Sequence, residues 1–441
     1  MLRQPLLLVF LVTILSGCSG MVQNPQDSQP VKAKNVILFI SDGTGPASFT
    51  LARDYLRATG NRRNLYLDDI LVGTMETSSA SHLITGSGAA ATAMASGYKT
   101  NNLVIGQDPD GNPLRSILEK AEAAGMHTGV IVTREITDAT PAAFTAHVAH
   151  RYDNELDVAV QQLSSGADIL VGGGLEMFQL ESQGGKRTDG RDLVEEARAG
   201  GYEVVTSRQE WDQVQNLPVL ALLARDKLAY EIDRNPLDAP SLAELVDKSI
   251  QMLDQAGTGF FLLVEGSRID LAGHDNDAPA HLHDLIAYDE AVNVGLNFAR
   301  KNGETLVIST SDHETGGLSI GRSYTWYPDK MQSMTASHDS TVTMLQNGAS
   351  PTDVLKQYYG IEDVSPAELA RLDTLTLRND YDRALGEVIG DRLFIDWATT
   401  GHTAVDVNVY AFGPGSSAFR NHFDITHIGL VLPDLMGLQT D

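Results

Sequence analysis

The chain has one cysteine among 441 residues, so no disulfide can form within it. The fold must rest on packing and on any metals it holds. Positive charge is also scarce. Lys and Arg number 32 against 58 Asp and Glu, a formal net charge of −26. A nucleic-acid backbone needs a basic footprint, so nucleic acid is excluded as a partner. The acidic excess otherwise reads as solubility. The 40 glycines and 16 prolines follow no collagen-like period, and a hydrophobic share of 42% excludes a mainly disordered chain. No internal repeat is found. The length allows one large domain or two to three small ones.

The amino terminus reads as an address. Arg3 precedes an apolar run, Leu6 to Leu15, which is too brief to span a bilayer as a mature helix and ends in small residues. Leu15-Ser16-Gly17-Cys18 resembles a bacterial lipoprotein box, with the single cysteine where the box needs it. The resemblance implies that residues 1–17 are a signal peptide and that Cys18 is lipidated. It further implies an exported protein, lipid-anchored to a membrane. Ser19 after the cysteine points to the outer membrane, facing the periplasm. Residues 18–34, rich in Gln, Pro and Ser and without hydrophobic periodicity, read as a flexible tether. The alternative is an ordinary signal peptide that happens to carry a cysteine.

From residue 35 onward, short apolar runs alternate with helical patterns. Strands are expected at Asn35 to Ile40, Thr128 to Val132, Ile169 to Val171, Phe260 to Val264, Thr305 to Ile308 and Val407 to Phe412. Helices are expected at Leu114 to Ala124, Leu242 to Leu253 and His281 to Ala299. The alternation predicts an α/β three-layer sandwich, a largely parallel central sheet flanked by helices. The stretch from about 322 to 395 breaks this rhythm and reads as a small cap- or crown-like insertion.

Polar residues collect where those strands end. Asp42 follows the first strand, Glu265 ends the run Phe260 to Val264, and Asp270 and His274 come just after. Asp312 and His313 follow Thr305 to Thr310, and His402 precedes Val407 to Phe412. Open parallel sheets bind ligands beyond the carboxyl ends of their strands. One Asp after a strand is ordinarily a turn or cap residue. Four acids and three histidines at one edge instead form a nitrogen and oxygen donor set suited to zinc or a similar ion. Asp270 and His274, four apart, would face one ion from a single helical turn. In Thr85-Gly86-Ser87-Gly88-Ala89-Ala90, the serine reads as a hydroxyl at a helix amino terminus. It is either a plain cap or a nucleophile activated by metal.

These motifs together resemble alkaline phosphatases. The resemblance rests on Asp42-Gly43-Thr44-Gly45, the Ser87 segment through Gly97-Tyr98-Lys99-Thr100, and Asp138-Ala139-Thr140-Pro141. It continues through Val264-Glu265-Gly266-Ser267-Arg268-Ile269-Asp270 with His274, Asp312-His313-Glu314-Thr315-Gly316-Gly317, and Gly401-His402-Thr403. It implies hydrolysis of small phosphate monoesters through a phosphoserine at Ser87. It implies one zinc on Asp270, His274 and His402, a second on Asp42, Asp312 and His313, and one magnesium on Asp42, Thr140 and Glu265. Arg151, eleven residues after Thr140, stands where the family grips phosphate with a planar guanidinium fork. A homodimer is the family's common assembly.

Two positions depart from the pattern. Gly86 stands where many members carry an aspartate that holds the arginine, so Arg151 is expected to be more mobile and phosphate retention weaker. Leu271 stands where relatives often have Lys, His or Trp and cannot contact phosphate. Asp138 matches a family variant that favours magnesium at the third site. Two other functions share the motifs: a phosphodiesterase or sulfatase on the same metal core, and a non-catalytic phosphate-binding lipoprotein.

Overall fold

The computed structural model describes residues 32–61, 63–372 and 375–439. The expected signal peptide, Cys18 and most of the expected tether lie outside the described residues. The tether's last residues already belong to the fold: Ala33 is buried, and its amide donates to the Leu435 carbonyl at 2.8 Å.

The described strands are β1 (Asn35–Ile40), β2 (Leu71–Glu76), β3 (His127–Glu135), β4 (Ile169–Gly173), β5 (Glu203–Val205), β6 (Val219–Leu222) and β7 (Phe260–Glu265). There follow β8 (Thr305–Thr310), β9 (Glu314–Thr315), β10 (Leu318–Ile320), β11 (Ile395–Trp397), β12 (His402–Thr403), β13 (Val407–Phe412) and β14 (Asn421–Asp424). Ten of them form one sheet in the order β14-β2-β13-β8-β1-β7-β3-β4-β6-β5. From β8 to β5 every pairing is parallel. Only β13 runs against its neighbours β8 and β2.

Every residue of β1, β7 and β8 is buried, because helices cover both faces of a parallel sheet. Ile37, Phe39, Leu262 and Val307 point to one face, where helices Pro46–Ala58, Leu242–Ala256 and Ala278–Asn302 pack. Val36, Leu38, Leu263 and Leu306 point to the other, under helices Ser87–Ser96, Ala139–Thr145 and Thr426–Met436. The expected three layers are therefore present. Local chemistry sets the helix ends: Ser241 and Glu244 form a capping box, and the helix stops at Gly257 in the left-handed region.

Residues 322–395 are mostly helical. Helices His338–Gln346, Pro351–Tyr359, Pro366–Leu372 and Arg378–Leu393 lie between β10 and β11, which pair antiparallel at the base of the insertion. No helix among the described residues is long and apolar enough to cross a membrane.

Candidate active site

Parallel register aligns the acids. Ile40 pairs with Glu265 on one side and with Thr310 on the other. Asp42, Glu265 and Asp312 therefore leave three adjacent strands at one edge. The reversed strand delivers the last ligand. Because β13 is antiparallel, its amino end lies at the carboxyl edge of the others, and His402 just before it arrives there. The β9–β12 pairing, His402 opposite Thr315, ties that segment to the residues after Asp312. Gly43 lets the first turn pass close: its φ is +71°, and a Cβ there would lie 2.6 Å from the Asp270 Cα.

The structure brings the predicted side chains together. His313 Nε2 lies 3.1 Å from Asp312 Oδ2, 3.7 Å from Asp42 Oδ1 and 3.2 Å from the Ser87 hydroxyl. His274 Nε2 lies 3.4 Å from Asp270 Oδ2, and His402 Nε2 lies 3.7 Å from Asp270 Oδ1. The His313 and His402 rings stack with centroids 3.6 Å apart, which joins the two groups into one cluster. Ligand atoms of Asp42, Asp312 and His313, and those of Asp270, His313 and His402, each lie within 4.8 Å of one another.

Tautomers can be read from the outer partners. His274 Nδ1 is 2.6 Å from the Thr400 carbonyl, and His402 Nδ1 is 2.9 Å from the Thr85 carbonyl. A carbonyl can only accept, so both Nδ1 atoms carry the proton. The Thr315 hydroxyl donates to Asp270 Oδ1 at 2.6 Å, leaving its oxygen to accept from His313 Nδ1 at 3.2 Å. All three histidines thus turn an Nε2 lone pair inward. Those of His274 and His402 face each other at 3.2 Å, an arrangement that needs a proton or a cation between them.

The carboxylates make the same demand. Both oxygens of Asp42, Asp312 Oδ2, Glu265 Oε1 and Thr140 Oγ1 are buried without a hydrogen-bond partner. Buried acceptors without donors are costly, and a cation satisfies several at once. Burial, then the charges of Asp312, Asp270 and Glu265, push the Asp42 carboxyl well above its ordinary range. Burial and the Asp138 charge push Glu265 up to about 8, with the hydrogen bond from the Ser267 hydroxyl pulling the other way. Burial pushes His402 down to about 4, aided by the His313 charge. Burial would lower His274 too, but Asp270 outweighs it and holds the ring up at about 9. The donor set fits divalent cations at this edge.

Ser87 opens the helix Ser87–Ser96, all ten residues of which are buried. Its small residues let the helix seat against Thr426–Met436. Gly86 caps it with extended backbone and no side-chain cap bond, so the Ser87 hydroxyl is free to face His313. Asn102, which the sequence did not single out, braces this turn: its Oδ1 accepts from the Gly86 amide and its Nδ2 donates to the Ile84 carbonyl.

Arg151 differs from expectation. Gly86 supplies no carboxylate, but Arg151 has another acid: its Nη2 pairs with Asp138 Oδ1, and the guanidinium lies 4.9 Å over the Tyr152 ring. That acid stands at the amino-terminal cap of the helix Ala139–Thr145. Leu271 packs with the cluster of Tyr230, Ala272 and Ala280.

A family model for alkaline phosphatase matches residues 33–438. The chain belongs to the alkaline phosphatase family. A repressible alkaline phosphatase of Saccharomyces cerevisiae is 38% identical over 92% of this chain and 82% of its own length. Among solved structures, a Shewanella cold-active alkaline phosphatase matches with a TM-score of 0.83 at 35% identity, covering 91% of this chain and 99% of that one. The Thermus thermophilus alkaline phosphatase matches with a TM-score of 0.85 at 30% identity over 96% of each chain. Family and fold make this protein a phosphomonoesterase with a metal-binding site.

Proposed function

We propose that this protein converts phosphate monoesters to alcohol and inorganic phosphate through a phosphoserine at Ser87. Asp270, His274 and His402 would hold one zinc ion, Asp42, Asp312 and His313 a second, and Asp42, Thr140 and Glu265 a magnesium ion. Bound there, the ions would neutralise phosphoryl charge, ease ionisation of the attacking hydroxyls and steady the leaving alkoxide. The observation that carries this reading is the convergence of three inward Nε2 lone pairs on buried carboxylate oxygens without donors, beside one serine hydroxyl.

The chain's own residues do the rest. Ser87 Oγ attacks phosphorus as the bond to the alcohol oxygen breaks. Water then cleaves the Ser87–phosphorus bond and releases phosphate. Arg151 spends one Nη on Asp138 and keeps its other donors for two phosphoryl oxygens, which orients the ester for in-line attack. A dianionic monoester has the oxygens to use both the arginine and the third cation; a diester lacks one of them. On aryl phosphate, kcat/KM should exceed that on bis-aryl phosphate and aryl sulfate by at least about 10³-fold. A diester or sulfate rate within tenfold of the monoester overturns the assignment.

The same reading extends to the amino terminus. Removal of residues 1–17 leaves Cys18 to carry lipid, anchoring the enzyme to the outer membrane on its periplasmic side, as a homodimer. Cys18→Ser should move activity from the membrane fraction to the soluble one. Activity that stays with membranes rejects the anchor, and sedimentation at the mass of one chain rejects the dimer.

A further inference from the structure

Arg134 is the last residue but one of β3, in the stretch between Ile131 and Glu135 where the pairing with β4 shifts register. Its Nη1 lies 3.3 Å from Asp138 Oδ2. Asp138 Oδ1 holds Arg151. One carboxylate therefore faces two guanidinium groups: Oδ1 bonds Arg151, and Oδ2 has the ion pair to Arg134 without a hydrogen bond, while Arg134 Nε donates to Glu135 Oε2 at 3.4 Å. All three side chains are largely enclosed, with exposures of 17% for Arg134, 8% for Asp138 and 9% for Arg151. Among the described residues, Asp138 has no other cationic partner.

This sharing has a consequence for Arg151. A carboxylate with both oxygens free takes an arginine in a two-pronged fork, the strongest geometry available to the pair. Such a fork would occupy two of the donors that a phosphoryl group needs. With Arg134 on Oδ2, Arg151 reaches only Oδ1, through Nη2, and its remaining donors stay uncommitted. The geometry points to Arg134 as a positioning residue: by standing its charge against the second oxygen of Asp138 it keeps Arg151 singly bonded and aimed at substrate phosphate. This rests on the reading of Arg151 as the phosphate-gripping group.

The test is a double-mutant cycle read in phosphate affinity. Arg134→Ala should raise the inhibition constant of inorganic phosphate and the KM for aryl phosphate together, each about tenfold, the scale of one charge-assisted hydrogen bond. kcat should change less than threefold, with metal content retained. In the Asp138→Asn background, where no two-pronged carboxylate exists, Arg134→Ala should change neither constant by more than twofold. Arg134→Lys keeps a cation beside Oδ2 and should stay within threefold of the native enzyme. Should Arg134→Ala not fold, Arg134→Met fills similar volume without a donor and takes its place.

An unchanged phosphate constant in the neutral variant overturns the inference, as does an equal effect in both backgrounds. Loss of kcat together with bound metal would mark Arg134 as merely structural and overturn it too. Arg151→Ala is the control. If it leaves phosphate inhibition untouched, the reading of Arg151 fails; if it weakens inhibition while Arg134→Ala does not, only the present inference fails.

Discussion

Ser87→Ala is expected to lower phosphate-monoester turnover by about 10⁴-fold or more while leaving the fold and phosphate binding intact. The size follows from the role: without a nucleophile, only positioning and electrostatic stabilisation remain, and removal of a reacting hydroxyl typically costs this much. The selectivity follows from the surroundings. Ser87 Oγ makes no capping bond to its own helix, and its recorded partner is His313 Nε2. Alanine is a better helix former, and the next three residues of the helix are already Gly88, Ala89 and Ala90. Steady-state rates measure the loss, and the thermal midpoint should move by less than about 2 °C. Acid quenching of the native enzyme during turnover should trap one phosphorylated peptide containing Ser87. Residual activity above a tenth of native, or phosphate trapped on another residue, would end the assignment.

The parts of this enzyme that were legible in the sequence share a physical reason. β1, β7 and β8 read as continuous apolar runs because helices bury both faces, and the acids after them stood out because each broke such a run. Parallel register then placed Asp42, Glu265 and Asp312 side by side without further information. β2 and β14 were not legible: β14 is the edge strand and β2 its neighbour, both are largely half-buried or exposed, and Leu71-Val72-Gly73-Thr74-Met75-Glu76 carries no clean alternation. β5 and β6, three and four residues long, are too short for periodicity to speak.

His402 was read as preceding Val407 to Phe412, a strand whose direction could not be read, since nothing in that run distinguishes antiparallel from parallel. Three orienting groups escaped notice: Thr315 between Asp270 and His313, Asn102 behind Gly86, and Arg134 on Asp138. Each acts through a contact made by tertiary folding, and a lone Thr, Asn or Arg has no spacing to announce it. The Arg134–Asp138 pair alone left a trace, a separation of four residues, but across a strand end and turn that spacing carries no helical meaning. Asp138 as the partner of Arg151 escaped for the same reason: Gly86 was legible as a missing acid, whereas the acid that pairs with the arginine was visible only in space.

Stripping the metals should abolish activity and also make the fold sensitive to alkali. Without cations, burial and neighbouring carboxylates hold Asp42 well above its ordinary range and Glu265 at about 8. The folded, metal-free protein therefore keeps protons that the unfolded chain releases near pH 4.5. Proton uptake on folding means that stability falls as pH rises between those two values. His274 works in the same direction. Asp270 raises it to about 9, so the pair contributes fully below pH 6.5 and the contribution is lost as pH climbs through 9. With metals bound as proposed, the carboxylates would be ionised against cations and the histidines neutral ligands, so these retained protons and the loss of stability toward alkali would both be absent. The chelated protein should melt on the order of 10 °C below the loaded one at pH 8, and by distinctly less at pH 5.5. Restoring zinc and magnesium should recover both the midpoint and the rate. A gap in melting temperature that stays constant from pH 5.5 to 8, or a chelated enzyme that still turns over, would mean that these buried acids are not the groups awaiting metal.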